Sequence, residues 1–292
     1  MRLTCKASST LAVFAVSLSA GACEPLADAL EEPTQFVSPG SEFMAQQAPQ
    51  VQRATASGAR GPRMDPSEAS GRWPFYWTRA AYSGYGRGGW GRGGSWATDF
   101  PKGDRQFLFV LKRLVRLDAH DWENAVSLAD PVLRRFPVIY MVEPGYMDMT
   151  DSEVAGLRRF LDAGGFLIVD DFHGPREWTQ FAESLKKVFW DRPIVDIPEH
   201  DEIFHVLYDV DQRVQIPGQQ AIWRGVTWEH PQGVPAHWRG VYDDDGRLLV
   251  AINFNMDLGD AWEHADDAYY PEPLTALAYR FGVNYVIYSM TH

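Results

Sequence analysis

The sequence predicts an α/β fold, a mostly parallel sheet covered by helices on both faces. Two observations carry this. Two short runs are apolar throughout, residues 138–142 (VIYMV) and 166–169 (FLIV), and 247–253 is apolar between Arg247 and Asn253, as expected of strands buried on both faces. Amphipathic helical segments alternate with them, which is the pattern of strand–helix–strand crossovers in one parallel sheet. The chain has 292 residues and is 45% hydrophobic, enough to bury a large core.

Taken in order, Phe75, Trp77 and Arg79 alternate with Tyr76 and Thr78, giving a first strand at 73–80. Residues 84–94 (GYGRGGWGRGG) form a glycine-rich loop that lacks the G-x-x-x-x-G-K-[ST] spacing of a phosphate cradle. It reads as a flap anchored by Trp90 and Trp96. A helix follows at 102–114, with Phe107, Leu111 and Leu114 inward. After strand 138–142, Thr150 and Glu153 make a capping box, each side chain meeting the other residue's backbone N–H. The helix it opens carries Val154, Leu157, Phe160 and Leu161 inward and stops at Gly164-Gly165. Strand 166–169 leads into a helix at 175–189 with Trp178, Phe181, Leu185 and Val188 on one face. Strand 247–253 and a helix at 273–289 close the chain. Residues 191–245, rich in Pro, Gly and Trp, read as an irregular insertion or a few extra strands.

The N-terminus predicts export. Arg2 and Lys6 precede a short apolar stretch, 11–18 (LAVFAVSL), far below the ~20 residues that span a bilayer. Ala20-Gly21-Ala22 fits a signal peptidase, so residues 1–22 are read as a signal peptide. Cys23 then stands where a lipobox cysteine is acylated, although Ala20 replaces the usual leucine; plain A-x-A cleavage fits the same stretch. Residues 23–71, with six prolines among Ala, Gln, Ser and Gly, read as a disordered tether, and 72–292 as the folded domain.

Composition and motifs exclude several classes. A net charge of -12 argues against a general nucleic-acid binder and against a polybasic membrane grip, leaving a lipidated Cys23 as the membrane contact. Cysteine occurs only at positions 5 and 23, so the mature domain has no thiol nucleophile and no cysteine zinc site. The G-x-S-x-G elbow and H-E-x-x-H are absent, and the G-x-G-x-x-G spacing inside 84–94 opens no helix as a dinucleotide fingerprint does.

Polar residues stand directly after three apolar strands: Glu143, then Asp170, Asp171 and His173, then Asn253, Asn255 and Asp257. In open α/β sheets ligands bind beyond the carboxyl ends of the strands, so these distant positions are expected to converge. Capping and turning the chain account equally well for any single one. Neighbours on an extended chain point to opposite faces, so one of Asp170 and Asp171 can face the crevice while the other caps a helix. The run 257–267 holds five carboxylates and His264 without Lys or Arg. It is expected to lie against the same crevice, with Asp260, Glu263, His264 and Asp267 on one helical face and Trp262, Tyr269 and Tyr270 buried. Arg239 and Arg247 are the expected counter-charges.

Several strings, among them 96–101 (WATDFP), 140–145 (YMVEPG), 164–172 (GGFLIVDDF) and 255–263 (NMDLGDAWE), resemble the bacterial "domain of unknown function 4159" family over about residues 72–292. The resemblance implies a three-layer, flavodoxin-like sandwich similar to class I glutamine amidotransferases, without their catalytic cysteine. It implies no reaction. The chain is therefore expected to be an exported, lipid-anchored envelope domain that binds a small ligand or an envelope protein. The alternative is a carboxylate-based or metal-assisted hydrolase of an envelope glycan or peptide. No cofactor is required by any motif; a divalent metal is the one the residue types would accept.

Overall fold

A computed structural model describes residues 74–85 and 95–292. The signal segment 1–22, the tether 23–71 and most of the glycine-rich flap lie outside the described residues.

Seven strands form one sheet in the order β2-β1-β3-β4-β7-β6-β5. Strands β1 (Thr78–Ala81), β2 (Asn124–Ser127), β3 (Val138–Val142), β4 (Phe166–Asp170) and β7 (Leu248–Phe254) run parallel. β6 (His237–Tyr242) and the two-residue β5 (Val195–Asp196) extend the β7 edge antiparallel. The parallel part has the doubly wound order in which the chain starts near the centre, moves one way, then reverses between β1 and β3.

Strand alternation splits the core into two. Val138, Tyr140, Val142, Phe166 and Ile168 face one side, with Phe107 and Leu111 of α1 (Lys102–Leu114), Trp262 of α5 (Leu258–Glu263) and much of α6 (Glu272–Thr291). Ile139, Met141, Leu167 and Val169 face the other, under α2 (Asp151–Asp162) and α3 (Gly174–Val188). The capping box at Thr150 and Glu153 opens α2 as expected. A short α4 (Gln219–Trp223) lies in the 197–236 stretch. Asn284 of α6 holds that stretch by accepting from Tyr208 N at 2.9 Å and donating to Tyr208 O at 2.8 Å. Among the described residues no helix is long and apolar enough to cross a membrane.

Three local expectations need correction. The first strand is short: Phe75 faces Ala119 and Thr78 faces Asn124, so the partner chain takes five steps where this one takes three, and the ladder breaks between them. Leu114 is 46% exposed, because it lies in the last turn at the edge of the α1 stripe built on Asp104, Phe107, Leu108 and Leu111. Tyr269 is 79% exposed. Its N–H is bonded to Asp267 in a turn that directs the ring outward, while Tyr270 turns inward and donates to Pro217 O at 2.6 Å.

Candidate metal centre

Three central parallel strands deliver a carboxylate at the same end of the sheet, where the strand order reverses: Glu143 follows β3, Asp171 follows β4 and Asp257 follows β7. Asp99 joins them from the turn that precedes α1. The backbone there is strained. Among the described non-glycine residues, positive φ occurs at Asp99 (59°), Glu143 (46°), Asp171 (54°) and Asn255 (64°). Such conformations cost on the order of 1–3 kcal/mol each and persist where surrounding contacts enforce them. Those contacts are visible: Glu143 N donates to Asp171 O at 3.1 Å, Asp171 N to Met256 O at 3.0 Å and Asn255 N to Phe172 O at 3.0 Å. The three strand ends are laced together by their backbones.

Asp99 is held differently. Arg79 of β1 is fully buried and ion-paired with Asp104 of α1. Its Nη1 also donates to Trp96 O at 3.0 Å and Thr98 O at 2.8 Å. One guanidinium thus fixes the two carbonyls that precede Asp99. Asp104 also accepts from Trp77 Nε1 at 2.9 Å, so the anchor is tied into the aromatic core.

Asp170 and Asp171 divide their roles. Asp170 Oδ2 accepts from Tyr140 Oη at 2.7 Å, Leu258 N at 2.7 Å and Gly259 N at 3.2 Å, and so caps α5. Asp171 turns the other way, into the crevice. Asp257 is the N-cap of α5, its Oδ1 accepting from Asp260 N at 2.7 Å. Among the described residues no donor reaches its Oδ2.

Three sets of side chains each bring their ligand atoms within 4.8 Å of one another: Asp99, Asp171 and Asp257; Asp171, His173 and Glu229; Asp260, Glu263 and His264. Asp171, His173 and Asp257 are buried, at 7%, 8% and 4% exposure. Gly218 shows how tightly the carboxylates converge. A methyl group there would lie 2.8 Å from Asp257 Oδ2, Asp260 Oδ2 and Glu229 Oε1 alike. Gly174 (φ 73°) is required for a second close approach, with His230 Nδ1 2.6 Å from where a methyl would sit.

Burial pushes these carboxyls up. Asp170 rises to about 7, against the opposing hydrogen bonds from Tyr140, Leu258 and Gly259. Asp99, Asp171 and Asp257 rise well above the ordinary range, first by burial, then by repulsion from Asp260, Glu143 and Asp171 respectively. Glu143 is raised by burial as well. Among the described residues no Lys or Arg forms an ion pair with Asp99, Asp171, Glu229 or Asp257. Anionic oxygens gathered in a buried crevice without a resident cation are the donor set that hard divalent ions take.

The family profile "Domain of unknown function (DUF4159)" matches residues 79–290, from β1 to the last turn of α6. The chain belongs to the DUF4159 family. No curated protein matches it. The DUF4159 match contains every carboxylate of the centre.

Of the residues anticipated for the crevice, this DUF4159 domain brings Asp171, His173 and Asp257 together, with Asp260 adjacent across Gly218. Glu143 stands beside Asp171 and contributes to its raised pKa. Glu263 joins Asp260 and His264 in the half-buried third set. Asp170 is a cap, as one member of the pair was expected to be. Asn255 is spent on the backbone, accepting from Gly174 N at 2.9 Å and donating to Pro235 O at 2.8 Å. Asn253 lies within β7, tied to Tyr285 Oη and Val169 O.

The expected counter-charges are elsewhere. Arg239 pairs with Asp196 at 3.0 Å and lies 4.3 Å over the Trp178 ring, on the α3 face of the sheet. Strand alternation directs it away from α5. Arg247 donates to Gly164 O at 2.6 Å, at the start of β4 rather than its end. Asp99 and Glu229 were absent from the expected set. Asp99 stands in the turn before α1, beyond the glycine-rich run, so no apolar strand leads directly into it. Glu229 lies in an irregular stretch with no periodic signal, and only the tertiary fold carries it to His173.

Proposed function

We propose that this DUF4159 domain is a divalent-cation-dependent hydrolase acting in the cell envelope. One observation carries the reading: Asp99, Asp171 and Asp257, from three segments distant in the chain, bring their ligand atoms within 4.8 Å of one another, and among the described residues none of the three is ion-paired with a Lys or Arg. A cation there would satisfy the carboxylates, polarise a scissile group and lower the pKa of a bound water. The clustering of the backbone strain at this one place favours chemistry over simple binding. A glycan or peptide of the envelope is the substrate class we infer, from the export signal read in residues 1–22 and from Cys23 as the lipid anchor. The β2-β1-β3-β4-β7 order supports a likeness to the class I amidotransferase sandwich; with cysteine confined to positions 5 and 23, carboxylates rather than a thiol supply the reactive groups.

The test is thermal unfolding of chelator-treated protein with Mg²⁺, Mn²⁺, Ca²⁺ or Zn²⁺. At one hundred times the dissociation constant a bound ion adds ~2.7 kcal/mol, or about 5–11 °C for a domain of this size. Asp257→Asn should abolish that gain. An unchanged Tm with all four ions overturns the reading. For location, fractionation and palmitate labelling should find the protein in the membrane through Cys23; a soluble cytoplasmic protein retaining residues 1–22 defeats that part.

A further inference from the structure

We infer that the crevice takes two divalent cations, not one, with Asp171 as the ligand they share. This rests on the cation reading above and goes beyond it. Asp171 belongs to both buried ligand sets, one with Asp99 and Asp257, the other with His173 and Glu229. A carboxylate has two oxygens and can give one to each ion. In the second set the donor atoms face one point: His173 Nε2 lies 3.3 Å from Asp171 Oδ1 and 3.3 Å from Glu229 Oε1.

The charge balance asks for the second ion. Asp99, Asp171, Glu229 and Asp257 carry four negative charges when ionised, and a single divalent ion leaves two of them uncompensated in a largely buried crevice. Two ions with a neutral imidazole balance the four carboxylates of the two ligand sets. Side-chain atoms without protein partners point to ligands as well. Asp99 Oδ2 is shielded from solvent and unbonded. Asp257, at 4% exposure, accepts a hydrogen bond on Oδ1 alone.

The two positions differ in chemistry. Asp99, Asp171 and Asp257 make an all-oxygen site suited to Mg²⁺, Ca²⁺ or Mn²⁺, whereas Asp171, His173 and Glu229 include an imidazole that favours Mn²⁺ or Zn²⁺. A pair of ions bridged by one carboxylate is the arrangement that clamps the attacking and leaving oxygens of a hydrolytic displacement.

The experiment is a titration of the chelator-stripped full-length protein with Mn²⁺, followed by calorimetry and by electron paramagnetic resonance. Two ions per chain are expected, with the six-line signal of isolated Mn²⁺ replaced by a spin-coupled signal as the second equivalent binds. Glu229→Gln should bind one uncoupled ion, and Asp171→Asn should lose both. Melting curves without metal verify that each variant folds, and the wild-type stoichiometry decides even if one does not. One ion per chain, two uncoupled ions, or two ions retained by folded Glu229→Gln would overturn the pair while leaving a cation site standing. No binding at all would instead remove the reading of the preceding subsection.

Discussion

Asp104→Ala tests how the protein holds Asp99 in place. The substitution leaves the Arg79 guanidinium fully buried without its counter-ion and removes the acceptor of Trp77 Nε1. Breaking a buried pair by deleting one partner costs roughly 3–5 kcal/mol, because the remaining charge cannot be rehydrated in place. The orphaned indole N–H places the expected loss at the upper end of that range. At ~2–4 °C per kcal/mol for a domain of this size, the Tm should fall by about 6–20 °C. Denaturant unfolding followed by tryptophan fluorescence measures the free energy directly. Because Arg79 also holds Trp96 O and Thr98 O, the cation-induced rise in Tm should shrink in this variant, although Asp104 is not among the crevice ligands. Asp104→Asn, which keeps one oxygen acceptor, should lose less. A loss under about 1 kcal/mol for Asp104→Ala would refute the anchor argument, since it would mean that water reaches Arg79.

Other outcomes follow from the same geometry. The raised carboxyls bind protons more tightly in the folded than in the unfolded state, so their stabilisation is present below about pH 4 and is lost as the pH climbs through the folded values. For Asp170, raised from 3.8 to about 7, the swing is on the order of 4 kcal/mol. In chelator the Tm should therefore fall between pH 5 and 8. With saturating Mn²⁺ the fall should be much shallower, because bound ions keep the ligand carboxylates ionised in the folded state throughout the interval, and parallel slopes would contradict this. Gly218→Ala puts a methyl 2.8 Å from three carboxylate oxygens and should weaken Mn²⁺ binding at least tenfold, read by calorimetry, with a smaller change in metal-free Tm. Tyr140→Phe removes the 2.7 Å hydrogen bond to Asp170 and should cost ~1 kcal/mol in chemical denaturation. Gly156→Ala would drive a methyl to 1.9 Å from Leu128 O and should destabilise α2 packing by about 1–3 kcal/mol, read as a lower denaturation midpoint, with the number of bound ions unchanged.

What could be read along the chain and what could not divides by the range of the forces involved. The strands 138–142 and 166–169, the capping box at Thr150 and Glu153, and the helix limits at 102–114 are local matters of hydropathy, capping and propensity, and the sequence alone determined them to within a residue. Parallel pairing followed too, because strands apolar on both faces need helices on both faces. The split between Asp170 and Asp171 was equally legible, since side-chain alternation at a strand end requires it. The strands β2, β5 and β6 were not, being short or half-exposed and thus lacking a continuous apolar signal. The partners of Arg239 and Arg247 depended on which face and which end of the sheet each reaches, which strand order decides. The centre itself was half visible. Asp171, His173 and Asp257 follow apolar strands and announce their place, whereas Asp99 stands in the turn before α1 and Glu229 lies in an irregular stretch. Both reach Asp171 only through tertiary contacts: Arg79 of β1 holds the Trp96 and Thr98 carbonyls ahead of Asp99, and Gly218 N donates to Glu229 at 2.8 Å. Asp99, Asp171 and Asp257 lie dozens of positions apart, and a pairing at that separation is settled by the packing of the whole sheet rather than by any stretch of sequence.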